Sequence, residues 1–456
     1  MKVNVFSCAV ICTSILAGSV TGQTKKDTKV KLITLDPGHF HAALVQKTML
    51  PDLEATVHVY APKGDDVQSH LDKITAYNER KEDPTHWKEE VYLGNDFFNK
   101  MIAEKKGNVV VMAGNNQKKT EYIKRSIDAG FNVLGDKPMA IDKAHFDMLK
   151  AAFADAAKKK LVLYDIMTER YEITNTLQRE FAMMPEVFGT LKIGTPANPS
   201  VKMESIHYFY KYVSGSVLTR PAWFFDVNQE GEGLQDVGVH LVDLAQWSCF
   251  PNRVIDYKKD IQFNNAKRWT SDVTLHQFSA ITKMNGFPDY LKKNVVKDTV
   301  LNVYANGSVN YKLFGVNIKV TAKWDYKAVE GGDSQYAVFH GTKADLLIKQ
   351  TAAEKYTPVL YILPTKNDAA YESQLNASLK TIQAKYPGVE VKKEGKGYTV
   401  IIPEKYKDGH EAHFGRVTEK YLGYLHTGNM PKWEVPNMIA KYYTTTTALD
   451  LAKKSK

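Results

Sequence analysis

The chain has 456 residues, of which 43% are hydrophobic and 25% charged, with a formal net charge of +10. That length exceeds one ordinary core and implies two domains, or one domain with a large sheet, in a soluble globular protein. The positive charge is scattered in short groups such as Lys105-Lys106, Lys158-Lys159-Lys160 and Lys453-Lys454, which reads as solvated surface with some attraction for anionic sugars and excludes nucleic acid as an expected partner.

The N-terminus reads as a secretory signal: Met1-Lys2, an apolar run over residues 5–17, and the small residues Val20-Thr21-Gly22 before Gln23. The run is shorter than the roughly 20 residues a spanning helix needs, so no membrane span is expected. Ser19 rather than Cys follows Leu16-Ala17-Gly18, and no Arg pair precedes the run, which argues against a lipoprotein anchor and a twin-arginine signal. A secreted protein of a Gram-negative periplasm is the expectation. Cleavage would leave Cys249 alone, without an intrachain disulfide.

Residues 30–165 alternate strand and helix signals. Strands are expected over 30–35, 55–60, 108–112, 131–134 and 161–164, and helices over 41–49, 96–105, 120–129 and 143–158. This alternation predicts an α/β chain whose first half is a doubly wound parallel sheet. Ligands of such sheets lie at the carboxyl ends of the strands. Asp36-Pro37-Gly38, Ala113-Gly114-Asn115-Asn116 and Gly135-Asp136-Lys137 all fall there. After residue 190 the pattern turns to strands over 189–194, 202–210, 300–304, 308–314, 316–324, 336–341 and 344–349, with a tight turn at Ala305-Asn306-Gly307-Ser308. This predicts a large, open, mainly antiparallel sheet. Residues 351–405 read as an insertion of strand, helix and hairpin. A last helix over 436–454 is expected to pack back on the first domain.

Two segments carry chemistry. Gly135-Asp136-Lys137-Pro138 puts a cation at a strand end, where the proline biases Lys137 away from helical angles. Between Gly231 and Trp247, Asp236 and His240 stand four residues apart on one face of an expected helix, beside apolar residues. A base for a hydroxyl proton, a cation for the oxygen and an orienting carboxylate are what hydride transfer at a hydroxyl carbon needs. The first strand–helix turn reads Asp36-Pro37-Gly38-His39-Phe40-His41. Of the three glycines of a dinucleotide loop it keeps only the middle one. The groups Asp36, His39, His41 and His410, His413 invite a metal reading, but neither is a closed zinc set, and no metal is expected.

In their order these pieces resemble the Gfo/Idh/MocA family, the glucose–fructose oxidoreductases and inositol dehydrogenases. Gly135-Asp136-Lys137-Pro138 is similar to that family's Glu-Lys-Pro motif, residues 108–116 to its nicotinamide-side strand and loop, and Trp223 with residues 231–247 to its substrate helix. Trp324-Asp325-Tyr326, Gly331-Gly332-Asp333 and Gly341-Thr342-Lys343 resemble its sheet. The resemblance implies a Rossmann domain over 23–165 and a substrate and oligomerisation domain over 166–435, closed by a helix over 436–456. It implies bound NAD or NADP, NAD favoured, and a dimer or tetramer formed through the open sheet. By the same resemblance His240 is the acid/base, Lys137 steadies the alkoxide and touches the nicotinamide ribose, and Asp236 orients substrate or histidine. Asp36, Gly38, His39, Phe40, Ala113, Gly114, Asn116, Asp136 and Lys137 are the expected cofactor contacts. Arg170, Tyr171, His207, Tyr208 and Trp223 join Asp236 and His240 as expected substrate contacts. The expected activity is oxidation of a carbohydrate hydroxyl or reduction of its ketone. Export poses a cofactor-supply problem, which a tightly held cofactor or a redox-neutral glycosidase cycle (oxidation, elimination, hydration, reduction) would solve. A sugar-binding protein without catalysis is the alternative of another class.

Overall fold

The computed structural model describes residues 29–213, 216–328 and 332–455. The expected leader and Gly331 lie outside them. Six strands, β1 (Leu32–Leu35), β2 (Thr56–Ala61), β3 (Lys88–Leu93), β4 (Val109–Met112), β5 (Asn132–Asp136) and β6 (Leu163–Ile166), form one parallel sheet in the order β3-β2-β1-β4-β5-β6. Every residue of β1 and β4 is buried, as parallel strands covered on both faces require. The strand order reverses between β1 and β4, so the crevice for a ligand opens at their carboxyl ends. Helices α1 (His41–Leu44), α2 (Asp65–Glu79), α3 (Phe97–Glu104), α4 (Lys119–Asp128) and α5 (Lys143–Lys159) connect the strands. Asp142 caps α5 by accepting from the His145 amide at 2.8 Å, and Lys158 and Lys159 close it against the dipole.

The second sheet has ten strands among the described residues. Nine are β7 (Val201–Tyr210), β8 (Ile261–Thr274), β9 (Val300–Leu313), β10 (Val316–Lys327), β11 (Ser334–His340), β12 (Ala344–Gln350), β13 (Val359–Pro364), β14 (Glu390–Glu394) and β15 (Gly397–Ile401), in the order β8-β9-β10-β7-β11-β12-β13-β15-β14. Val295–Val296 pairs with β9 as the tenth. Only the β10–β7 pair is parallel. Helices α6 (Ile173–Ala182), α7 (Gly233–Asp236), α8 (Gly238–Cys249), α9 (Leu275–Thr282) and α10 (Ala369–Lys385) belong to this half. Helices α11 (His410–Thr427) and α12 (Glu434–Lys454) end the chain. The architecture is α/β, with a Rossmann-like parallel sheet and a mostly antiparallel one.

Several expectations are corrected. No turn interrupts β9 at residues 305–308. The Asn306 side chain accepts from the Trp324 amide at 2.9 Å and donates to Ser271 Oγ at 2.7 Å. Gly307 and Gly233 are sites of close approach: a Cβ on Gly307 would lie 2.6 Å from Leu234 Cγ, and one on Gly233 would lie 2.0 Å from the Ala305 carbonyl. The Asn-Gly pair therefore lets α7 lie on the sheet backbone, a role the turn rule does not distinguish. Residues 189–194 make only isolated bridges at Leu191 and Gly194, and α1 stops at Leu44. Helix α2 and strands β3 and β8 went unforeseen because polar residues face solvent along them, leaving little apolar periodicity.

Helix α12 packs on both halves: Met438 and Tyr442 join the core of the parallel sheet, while Ala440, Ala448 and Ala452 join that of the larger sheet. Its Lys441, fully buried, contacts Asp165 at 2.5 Å and Asp243 at 3.0 Å. Arg170 grips the same Asp243 with two bonds of 2.6 and 2.7 Å and donates to Glu434 at 3.0 Å. Burial disfavours the Asp243 carboxylate, but Arg170 and Lys441 hold it well below its ordinary value. Removing one partner of such a network strands the others as buried charges. Asp243→Ala should cost about 3–5 kcal/mol of unfolding free energy, read from urea transitions; a loss under about 1 kcal/mol would mean that the network does not tie the halves together.

Candidate active site

Strand β5 runs into Lys137, whose ammonium donates to Asp236 Oδ1 at 2.5 Å and to the Asp236 carbonyl at 3.2 Å. The two side chains are 9% and 7% exposed. Asp236 ends α7, held by the close approach of Gly233 to β9. His240 stands in the first turn of α8, with a break at Val237 between. The expected single helix is thus two short ones, and Asp236 pairs with Lys137. Burial opposes the Lys137 charge, but Asp236, Asp136 and Glu230 raise its pKa above the ordinary value, so it is an ammonium at neutral pH. Burial, then the Lys137 charge, pushes His240 well below 6.5. Its Nδ1 is buried with no hydrogen-bond partner among the described residues. It is a neutral imidazole, able to take a proton.

These groups line a cavity of about 1090 Å³. His207, Tyr208, Trp324, Arg220 and Glu169 form parts of its wall. Asp333 contacts His207 Nδ1 at 3.2 Å and Lys211 Nζ at 2.9 Å. Arg220 lies over the rings of Phe224 and Trp324, 4.5 and 4.9 Å from their centroids. Burial, then the charges of Glu172 and Asp333, pushes Glu169 up to about 7, so it exchanges a proton near neutrality. Glu169, in the 3-10 turn Thr168–Tyr171 after β6, and Lys211 and Arg220, in loops, carry no pattern in the sequence and are brought to the wall by the fold.

The β1 turn opens on a second cavity of about 510 Å³, lined by Asp36, Gly38, His39, Phe40, Asp66 and Trp223 among others. His39, Phe40, Arg220 and Phe224 line both cavities and stand between them. The Gly38 and His39 amides donate to the Ala113 carbonyl at 3.2 and 3.1 Å. A Cβ on Gly114 would sit 2.2 Å from the Asp36 carbonyl, so the two strand-end turns pack backbone on backbone. Burial, then the Asp66 charge, pushes Asp36 up to about 6.

Other expected contacts lie elsewhere. Ala113, Gly114 and Asn116 line neither cavity; Asn116 instead donates to the Glu230 carbonyl at 2.8 Å. Arg170 and Tyr171 are not on the cavity wall, because Arg170 is spent on Asp243 and Glu434. Trp223 lies outside the larger cavity, where its indole donates to Asp66 at 2.8 Å. Asp136 lies beneath the site, 2.9 Å from His41 Nδ1.

The family described as "Putative oxidoreductase C terminal domain" matches residues 177–453. A Parabacteroides merdae protein described as a "putative oxidoreductase" is 52% identical, with a TM-score of 0.92 over 94% of this chain and 98% of its own. GenD2 from gentamicin A biosynthesis, in complex with NAD, shares the fold at 16% identity and TM-score 0.55 over 94% of this chain and 95% of its own. A point mutant of KijD10, a 3-ketoreductase from Actinomadura kijaniata, in complex with TDP-benzene and NADP, shares it at 13% identity and TM-score 0.57 over 93% of this chain and 98% of its own. No curated protein matches. Matched over more than half its length by that family, and over nearly all of it by the Parabacteroides merdae protein, the chain belongs to the Gfo/Idh/MocA-type oxidoreductases.

Proposed function

We propose that this oxidoreductase moves hydride between a nicotinamide dinucleotide and a hydroxyl-bearing carbon of a small carbohydrate. The observation that carries this is the meeting, on one cavity, of a charged Lys137, the carboxylate that holds it and a neutral His240 whose Nδ1 has no hydrogen-bond partner among the described residues. His240 accepts the hydroxyl proton. The Lys137 ammonium, held in place by Asp236, stabilises the alkoxide as it forms. Tyr208 lies on the cavity wall beside a sugar's path, and the His207–Asp333–Lys211 group offers donors. A bound nicotinamide supplies the hydride acceptor or donor.

The complexes of GenD2 with NAD and KijD10 with NADP support that cofactor. The residues fit a dinucleotide at its ends. Asp65 and Asp66 beside β2 would suit ribose hydroxyls and favour NAD over a 2′-phosphate, and Lys137 would hold the nicotinamide ribose. In the middle the Trp223 ring would meet a Cβ on Gly38 at 3.3 Å, over the one glycine left for the pyrophosphate. A whole dinucleotide would need the Trp223–Asp66 contact to part and His39, Phe40, Arg220 and Phe224, between the cavities, to make room. Export by the leader and assembly into a dimer or tetramer through the open sheet belong to the same proposal.

A redox-neutral glycoside cleavage is favoured as a second reading by Glu169. A carboxyl near pKa 7 in the same cavity can act in its acid form, protonating the leaving glycosidic oxygen during elimination.

Denaturing the purified protein and assaying the supernatant by mass spectrometry should release NAD(H) or NADP(H). A protein that releases none and binds none when it is added would overturn the cofactor proposal. Lys137→Ala and His240→Ala should each lower turnover of the responsive sugar by about 100-fold or more with unchanged circular dichroism. Trp223→Ala should bind NAD at least as tightly as the parent by calorimetry; a tenfold loss would show that the indole supports the dinucleotide instead of covering its site. If glycosides are cleaved, activity should fall as pH rises through about 7, and Glu169→Gln should abolish that alkaline limb.

A further inference from the structure

Three groups near Lys137 move no proton or hydride in the proposed chemistry, although His39 and Asp136 are also expected cofactor contacts. His39 and His41 come from the β1 turn and Asp136 from the end of β5, which the parallel sheet brings together. His41 Nδ1 is 2.9 Å and His39 Nδ1 3.7 Å from Asp136 Oδ2. One ligand atom from each of the three lies within 4.8 Å of the others. Ligand atoms around a zinc-like ion with bonds of about 2.0–2.1 Å stand roughly 3–3.5 Å apart, so small shifts suffice to close the set.

We propose that His39, His41 and Asp136 bind a divalent first-row transition-metal ion, with its open coordination positions facing the larger cavity. Two imidazoles and one carboxylate leave such positions free for substrate oxygen. His39 and His41 both line the cavity, while Asp136 is 2% exposed behind them. Asp136 Oδ1 and His39 Nδ1 are buried without a hydrogen-bond partner among the described residues, the state of ligand atoms awaiting an ion. Lys137, Lys119, Arg220 and Lys211 lie near the two imidazoles, so an ion must be held against their repulsion by its bonds to Asp136 and the two ring nitrogens. Lys137 is engaged by Asp236, and Lys119 donates to the Asp136 backbone carbonyl and not to its carboxylate. His410, at the rim with its ring 5.5 Å from that of His41, stands where it could reach an open position. The ligand class for the open positions is an oxygen pair such as adjacent hydroxyls, or a hydroxyl and a carbonyl, of a carbohydrate. A metal-bound hydroxyl is more acidic than a free one.

The test is direct binding to the full-length protein. After stripping with chelator, it is titrated with Co²⁺ and Zn²⁺, read by elemental analysis after gel filtration, by Co²⁺ visible absorption and by the Zn²⁺-induced rise in Tm. One equivalent per chain, an absorption band of imidazole–carboxylate coordination, and at least tenfold weaker binding in His39→Gln and Asp136→Asn support the site. Substoichiometric binding by the parent at about 0.1 mM free metal overturns it, as does full retention of metal by both variants. The parent titration decides the matter if a variant fails to fold. Because no activity or dinucleotide is measured, the result is separate from that of the cofactor assay.

Discussion

The Lys137–Asp236 contact is the constraint on which the candidate site depends. It joins the end of a parallel strand to the end of a short helix of the other half, across 99 residues of sequence. An ammonium and a carboxylate so withdrawn from water are tolerated because each neutralises the other. The cost of burying either alone holds the two halves in one register. Burial, then the Lys137 charge, lowers the basicity of His240, so the lysine that shapes the site also tunes its imidazole.

Behind the site, Arg170, Asp243, Lys441, Asp165 and Glu434 form a second buried charge network on α12, α8 and the end of β6. The division of labour is clear. The deeper network locks the terminal helix between the sheets, and the shallower pair faces the cavity. A chain without a structural disulfide among its described residues relies for this on packing and buried polar bonding. Glycines at two points make the arrangement possible. Gly233 lets α7 rest on β9, and Gly114 lets the turns after β1 and β4 touch backbone to backbone. Any side chain at either position would displace the elements that carry Asp236 and His39.

Much of this was legible locally. The all-apolar runs of β1 and β4, the helix ending in Lys158-Lys159, and the strand–helix–hairpin insertion follow from periodicity and capping over a few residues. The nearness of Asp236 to His240 also follows from spacing, even though the segment is two helices. Strand β3, by contrast, reads Lys-Glu-Glu-Val-Tyr-Leu on an exposed edge, where no apolar alternation marks it. The Asn306-Gly307 pair has the composition of a hairpin turn. It is instead buried in a continuous strand, because a helix needs the missing side chain and the sheet needs the amide.

The amino-acid sequence by itself determined the alternation of strands and helices in the first half and the α/β class, and it singled out a lysine, a carboxylate and an imidazole as candidates. These are encoded in short-range pattern and side-chain chemistry. Only the tertiary structure decided which charges meet. It sent Arg170 into the interior and Trp223 over Gly38, gave Asp236 to Lys137, and set Asp136 beside His41 from 95 residues away. Those choices depend on sheet register and on the cost of leaving a buried charge unpaired. Both are properties of the assembled molecule, and no single segment carries them.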